Sequence, residues 1–257
     1  MVLVVALITV LIISLLGITG GVLLIYREKW AKLTSKYLIT FAIGTLFGVT
    51  FLDLLPESIA SLQSVETVLI YTLSGIILFY LLEKTLLWYH HHSIEQVWHK
   101  KHPVEEKAHP VGYLITFGDA LHNFIDGLVM SAGFLIDIKL GITTSLAVLF
   151  HELPQEIGEF AVLLHAKFSK AKIILYSLAA QMTAIVGALL GFFYLPLFEN
   201  LNSILLAIAA GGFIYIASTD LLPETHREEG LNKSLLQILL LIFGILVIWY
   251  IGRIFSE

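Results

Sequence analysis

The sequence predicts an all-α, polytopic membrane protein of eight transmembrane helices, and three observations predict it. Of its 257 residues, 58% are hydrophobic and only 14% charged. The mean hydropathy is +0.89, well outside the composition of a water-soluble domain. The apolar residues also fall into runs of about 20, the length a helix needs to cross the hydrocarbon core of a bilayer. Charged or Pro- and Asn-containing joints separate the runs and leave no stretch for a soluble domain, so residues 1–257 read as one integral membrane unit.

The first run, 2–25, lacks a basic leader and is about twice as long as a signal-peptide core, so it is kept as helix 1. The other seven helices are expected at 37–55, 68–89, 111–136, 140–165, 173–195, 201–222 and 234–254. No cysteine is present. A transition metal would therefore be held by His, carboxylate, amide or thioether groups. The net charge of −5 is spread over the loops without a basic patch, which argues against a nucleic-acid partner and leaves the lipid bilayer as the surrounding medium.

Lys and Arg concentrate on the cytoplasmic side of membrane proteins. Here they cluster after helix 1 (Arg27, Lys29, Lys32, Lys36), helix 3 (Lys84, Lys100, Lys101, Lys107), helix 5 (Lys167, Lys170, Lys172) and helix 7 (Arg227, Lys233). Only Lys139 and Arg253 fall on the opposite side. The bias places both termini outside the cell or in a lumen, with the cell membrane as the expected location, and the loop between helices 3 and 4 in the cytosol.

"FLDLLPES" (51–58) closes helix 2, and "STDLLPET" (218–225) closes helix 7. Pro and Glu at an interface can end a helix without common ancestry, but the length of the match favours duplication. The copies are five helices apart in order, an odd offset, so they run in opposite directions. Helices 1–3 and 6–8 then form an inverted repeat around a central helix 4/5 pair, an arrangement that builds two gates around one site.

The central pair is polar. On helix 4, "GDALHNFIDGLVMSAG" (118–133) places Asp119, His122, Asn123 and Asp126 at spacings of three and four, one helix face. On helix 5, "HELPQEIGEF" (151–160) places His151, Gln155 and Glu159 four apart, with Glu152 and Glu156 in the adjoining row. An ionised side chain at the bilayer centre costs roughly 2.5–3.5 kcal/mol, so five such acids together represent on the order of 12–17 kcal/mol. Neither helix offers a Lys or Arg to offset it. Protonation, a water-filled path or a bound cation remain, and the two histidines favour a transition metal over Mg or Ca. Pro154 removes one backbone donor and displaces the Phe150 carbonyl beside His151. Gly127, Gly133 and Gly158 are expected to admit a neighbouring helix.

"HNFIDG" on helix 4 followed by "HELPQEIGE" on helix 5 resembles the signature of the ZIP (Zrt/Irt-like) divalent metal transporters, and is most similar to the LIV-1 branch, whose fifth helix reads HExPHExGD. Eight helices, outward termini, the cytosolic loop between helices 3 and 4 and the LLPE motifs extend the resemblance over the whole chain. It implies a transport domain that moves Zn, with Fe, Mn or Cd as alternatives, into the cytosol; no enzyme activity and no resident cofactor are expected. It further implies a main site of His122, Asp126, His151 and Gln155, and a second ion among Asn123, Asp126, Glu152 and Gln155. Glu156 and Glu159 complete the motif, and Asp53 is a relay ligand near the outer entrance. Gln155 stands where the pattern has a second His, and Glu159 where it has Asp. Bacterial two-ion members carry a Glu on helix 6, where the best match here is Ala184.

Two rival functions stay open on the residues alone. A proton or alkali-cation carrier would use the acids but leave the two histidines unexplained. An intramembrane metalloprotease would read His151–Glu152 as the start of HExxH, but residue 155 is Gln and not the second His that motif needs. The segment 90–110 holds His90, His91, His92, His99, His102 and His109, a loose metal-binding composition expected in the cytosolic loop; a solvated loop without a role is the alternative. "AIAAGGFIYIAS" (207–218) offers a small-residue face that could pack within one protomer or between two in a homodimer.

Overall fold

A computed structural model of the chain describes the backbone of residues 2–98, 110–198, 200–226 and 231–254. Every regular element among the described residues is helical. The long segments, numbered in chain order, are α1 (Val2–Trp30), α2 (Tyr37–Leu62), α3 (Val65–Trp98), α4 (Pro110–Ile136), α5 (Ile138–His165), α6 (Lys170–Leu197), α7 (Leu201–Thr219) and α8 (Leu231–Ile254). Helical backbone runs on from α1 into α2, and its kink lies within α1 at Arg27, where φ is −145° and ψ 53°. Six of the segments, α1, α2, α3, α6, α7 and α8, are long and apolar enough to cross a membrane. The other two, α4 with 27 residues and α5 with 28, carry the polar stripes.

The polar pair lies at the centre of the bundle. α5 packs along α1 and α2, α4 packs along α6, and α4 and α5 pack on each other, while α8 lies on α2 and α3 on α7. The flanking helices α3 and α8 send Leu69, Ile70, Leu73, Ile238, Leu239 and Phe243 outward, a surface suited to lipid tails. The expected glycine contacts are reached by reciprocal pairs. A methyl on Gly127 of α4 would overlap the Ala184 carbonyl, and one on Gly187 of α6 the Phe124 carbonyl. Gly44 and Gly244 face the Leu241 and Phe41 carbonyls between α2 and α8, and Gly75 and Gly211 the Ile208 and Thr72 carbonyls between α3 and α7. Gly133 meets the Leu140 carbonyl at 3.1 Å. Gly158 departs from expectation: it is exposed and has nothing within 4 Å of its missing side chain, because it lies on the face of α5 turned away from its neighbours.

Both DLLPE copies begin inside a widened turn. Residues Thr50–Leu54 form a π-helix, with the Leu55 amide donating to the Thr50 carbonyl. Residues Ile216–Leu221 form another, with the Leu222 amide donating to the Ala217 carbonyl. The cause is local. Pro56 and Pro223 have no N–H, and each ring crowds the carbonyl four residues earlier; a π turn widens the ladder enough to relieve that contact. By contrast, the helix of α5 runs unbroken through Pro154. The helical backbone of α3 continues to Trp98 and takes in His90, His91 and His92. Their side chains, and the whole of 99–109 with His99, His102 and His109, lie outside the described residues.

Candidate metal centre

Four ligand atoms from α4 and α5 converge. The Nε2 atoms of His122 and His151 are 3.2 Å apart. Asp126 Oδ2 lies 3.5 Å from the first and 3.2 Å from the second, and Glu152 Oε1 lies 3.6 and 3.9 Å from them. All four atoms are within 4.8 Å of one another. A zinc ion with bonds of about 2.0–2.2 Å in tetrahedral geometry requires its ligands to stand about 3.3–3.6 Å apart. The five separations given, 3.2–3.9 Å, bracket that range, and Asp126 and Glu152 lie within 4.8 Å of each other.

The surroundings prepare these atoms for a cation. His151 is fully buried, and its Nδ1 lies 3.0 Å from the Ala147 carbonyl. A carbonyl only accepts, so Nδ1 carries the proton and the Nε2 lone pair faces the cluster, the usual way a second contact fixes a metal-binding tautomer. Asp126 Oδ2 and Glu152 Oε1 are buried without a hydrogen-bond partner. Two orphaned carboxylate oxygens beside two imidazole nitrogens are costly unless a positive charge sits among them. His122 is the least enclosed of the four, with 17% of its side chain accessible, and Phe79 meets its ring edge-on.

A second cluster adjoins the first through Glu152. One carboxylate oxygen from each of Asp119, Glu152 and Glu156 lies within 4.8 Å of the others, and all three residues are buried. Here the partners are amides. Gln181 of α6 donates from Nε2 to Glu152 Oε2 at 2.5 Å and to Glu156 Oε1 at 3.0 Å. Asn123 donates from Nδ2 to Asp119 Oδ1 at 2.7 Å. Gln155 donates to Glu159 Oε1 at 3.5 Å, and Glu152 from the adjoining row joins the two histidines and Asp126 in the four-atom group. Asp53 lies elsewhere, beside Thr143 and Lys139 of α5 and Gly252 of α8.

A family model described as "ZIP Zinc transporter" matches residues 1–110 and 89–252. The chain belongs to the ZIP zinc transporter family. Zinc transporter ZIP13 of Pongo abelii is 34% identical over 233 residues, 82% of this chain and 65% of that protein. ZIP13 of Homo sapiens is 31% identical over 267 residues, 86% and 71% of the two chains. Zinc transporter ZIP10 of Homo sapiens is 35% identical over 191 residues, 66% of this chain but 22% of its own length. The chain thus spans just under two thirds of the first ZIP relative and a much smaller part of ZIP10. His122, Asp126, His151 and Glu152 of the ZIP-like helix 4 and helix 5 motifs form one group, and Glu152 and Glu156 form the other with Asp119, which precedes the helix 4 motif.

Gln181 is the residue that sequence reasoning passed over. Alignment selects Ala184 on α6, but Ala184 backs onto Gly127, and the side chain reaching the acids comes from the preceding turn. One signal could have found it: Gln181 is the lone amide in an otherwise apolar span, and a polar group there needs a partner. Gly17 of α1 leaves the room it occupies, since a methyl there would lie 3.3 Å from the Gln181 amide nitrogen.

Proposed function

We propose that this ZIP-family protein carries divalent transition-metal ions, zinc foremost, across the membrane toward the cytosol by alternating access at a site between α4 and α5. The observation that carries this reading is the four-atom group of His122, Asp126, His151 and Glu152, whose spacing suits a tetrahedral zinc ion. Its relatives are named as zinc transporters. Asp119 and Glu156, with Asn123, Gln155 and Glu159 behind them, form the adjoining acidic station, and Asp53 is an outer one.

A mixed imidazole and carboxylate site holds zinc less tightly than an all-Cys cage, as a carrier requires. Ligands must be deprotonated to bind, so an arriving ion releases protons and later protonation assists its departure. In this reading all eight segments cross the bilayer, with both termini outside in the cell membrane and the His-rich segment in the cytosol. Helices α1–α3 and α6–α8 form inverted repeats around the α4/α5 pair. Two features support the repeat: a π turn precedes both LLPE motifs, and the α2–α8 and α3–α7 glycine contacts correspond under it. The two repeats shift against the central pair to expose the site to one side and then the other.

The metalloprotease alternative lacks the second His of HExxH, since residue 155 is Gln. The test is flux of Zn, Fe, Mn and Cd beside Na and H in one preparation of proteoliposomes. The wild-type protein is expected to move zinc, and His151→Ala to reduce it to the background of empty vesicles. Sodium or proton flux without transition-metal flux would overturn the proposal.

A further inference from the structure

Lys139 breaks two rules at once. It lies in the first turn of α5, which Asp137 caps by accepting the Leu140 amide at 2.7 Å, and a cation is disfavoured at the positive end of a helix dipole. It is also one of only two basic residues on the side that Lys and Arg otherwise avoid. The other, Arg253, places its guanidinium 4.8 Å over the Trp249 ring. Lys139 instead turns toward a carboxylate. At Gly252 of α8, the point where a side chain would begin lies 3.2 Å from Lys139 Cε, 3.8 Å from its Nζ and 3.6 Å from Asp53 Oδ1. The ammonium of α5 and the acid of α2 therefore face one small volume that Gly252 keeps open.

Asp53 in that volume is only 9% exposed, and its Oδ2 is buried with no hydrogen-bond partner. The Thr143 hydroxyl beside it is within hydrogen-bonding reach of Asp53 and also of the Lys139 and Leu140 carbonyls, at 3.2 Å each. Along α5, Lys139, Thr143, Ala147 and His151 follow at intervals of four and so share one face. Thr143, Ala147 and His151 are completely buried. His151 is about 18 Å from Lys139 at the rise of an α-helix. One buried file thus runs from the lysine to the central metal group.

We propose that Lys139 is a tethered counter-cation of Asp53: its ammonium holds the approach to that carboxylate, and each incoming divalent ion displaces it before moving inward to the centre. This rests on the reading of Asp53 as an outer station of the transport path. A divalent ion carries twice the charge of the ammonium and out-competes it at Asp53, whereas a sodium ion with equal charge and a strongly held water shell does not. Lys139 in this role filters monovalent cations and sets the zinc concentration at which uptake half-saturates. It acts on the ion through Asp53 and touches none of the four central ligands.

The absence of cysteine makes the test direct. Lys139→Cys is reconstituted in proteoliposomes and zinc uptake measured bare, after methyl methanethiosulfonate (a neutral adduct), and after 2-aminoethyl methanethiosulfonate (an ammonium adduct). The bare and neutral forms are expected to show a KM several-fold below wild type with little change in maximal rate, and the ammonium adduct to restore the wild-type KM. Equal KM in all forms, or equal slowing by both adducts, would overturn the proposal, since bulk would then matter and not charge. Equilibrium zinc titration in detergent, on a His151→Ala background, gives a readout that needs no transport. Lys139→Gln is expected to strengthen the residual site several-fold, and adding Asp53→Asn to abolish that gain; an unchanged titration contradicts the proposal. Absent zinc flux in wild-type vesicles with the titration as expected would count against the transport reading alone.

Discussion

The two groups that share Glu152 stand side by side in one bundle, yet they solve the problem of buried acid differently. Toward α4, Glu152 Oε1 joins Asp126 and two imidazoles and has no hydrogen-bond partner. Toward α6, Glu152 Oε2 takes a hydrogen bond from Gln181, which also reaches Glu156. The first group leaves its inward carboxylate oxygens without any donor, and the second is tied in part by amides that supply donors without charge, while Asp119 Oδ2 and Glu156 Oε2 stay buried without a partner. Polarity at mid-membrane is thus no single property. The two groups differ in the donors that reach them, and not in one being fully satisfied.

That contrast can be broken from either side. The largest effect is expected from His151→Ala or Asp126→Ala, which remove a direct ligand from the first group. Zinc affinity of the purified protein, read by calorimetry, should fall about 100-fold or more, beyond the 10- to 100-fold that loss of an outer partner costs. Gln181→Leu should come next. It leaves Glu152 Oε2 and Glu156 Oε1 without their donor, an expected loss of about 1–3 kcal/mol for each buried orphan, seen as a lower midpoint of thermal unfolding. Zinc affinity should fall roughly 10-fold as Glu152 loses its support.

A smaller change is expected for Glu156→Gln, which touches only the amide-tied group. Zinc affinity there should stay within about threefold of wild type, well inside the range an outer contact commands. If Glu156→Gln weakens binding as much as Asp126→Ala, the two groups act as one and the contrast fails. Smallest of all is Gly158→Ala. With nothing within 4 Å of the new methyl and helical backbone around it, it should leave binding unchanged and raise the unfolding midpoint slightly, by the equivalent of about 0.4–1 kcal/mol.

Much of this arrangement was legible in the residues. The membrane segments could be read because their apolar runs end at charged joints; α7 begins where expected, at Leu201. The polar stripe of α4 could be read from its spacing, and its members meet in two pairs, Asn123 with Asp119 and His122 with Asp126. Which residue of α5 meets that row could not. His151 and Gln155 share a stripe, but consecutive residues lie about 100° apart on a helix of 3.6 residues per turn. The crossing of α4 and α5 falls between the stripe and its neighbour, so Glu152 of the adjoining row stands with His151 in the four-atom group. The two π turns were hidden because π and α turns draw on the same residues, with Pro56 and Pro223 the only hint. The gap kept open by Gly252, between Asp53 and Lys139, arises from three segments far apart in sequence, and no local pattern announces it.

The central claim is that two imidazoles and two carboxylates hold the transported ion at one point. X-ray absorption spectroscopy at the zinc edge, on the purified protein loaded with one equivalent, reads that shell directly. The account predicts four N/O ligands at about 2.0–2.1 Å, with outer-shell scattering from two imidazole rings that drops to one in His151→Ala. A six-coordinate, all-oxygen shell without imidazole scattering, unchanged by that substitution, would contradict it.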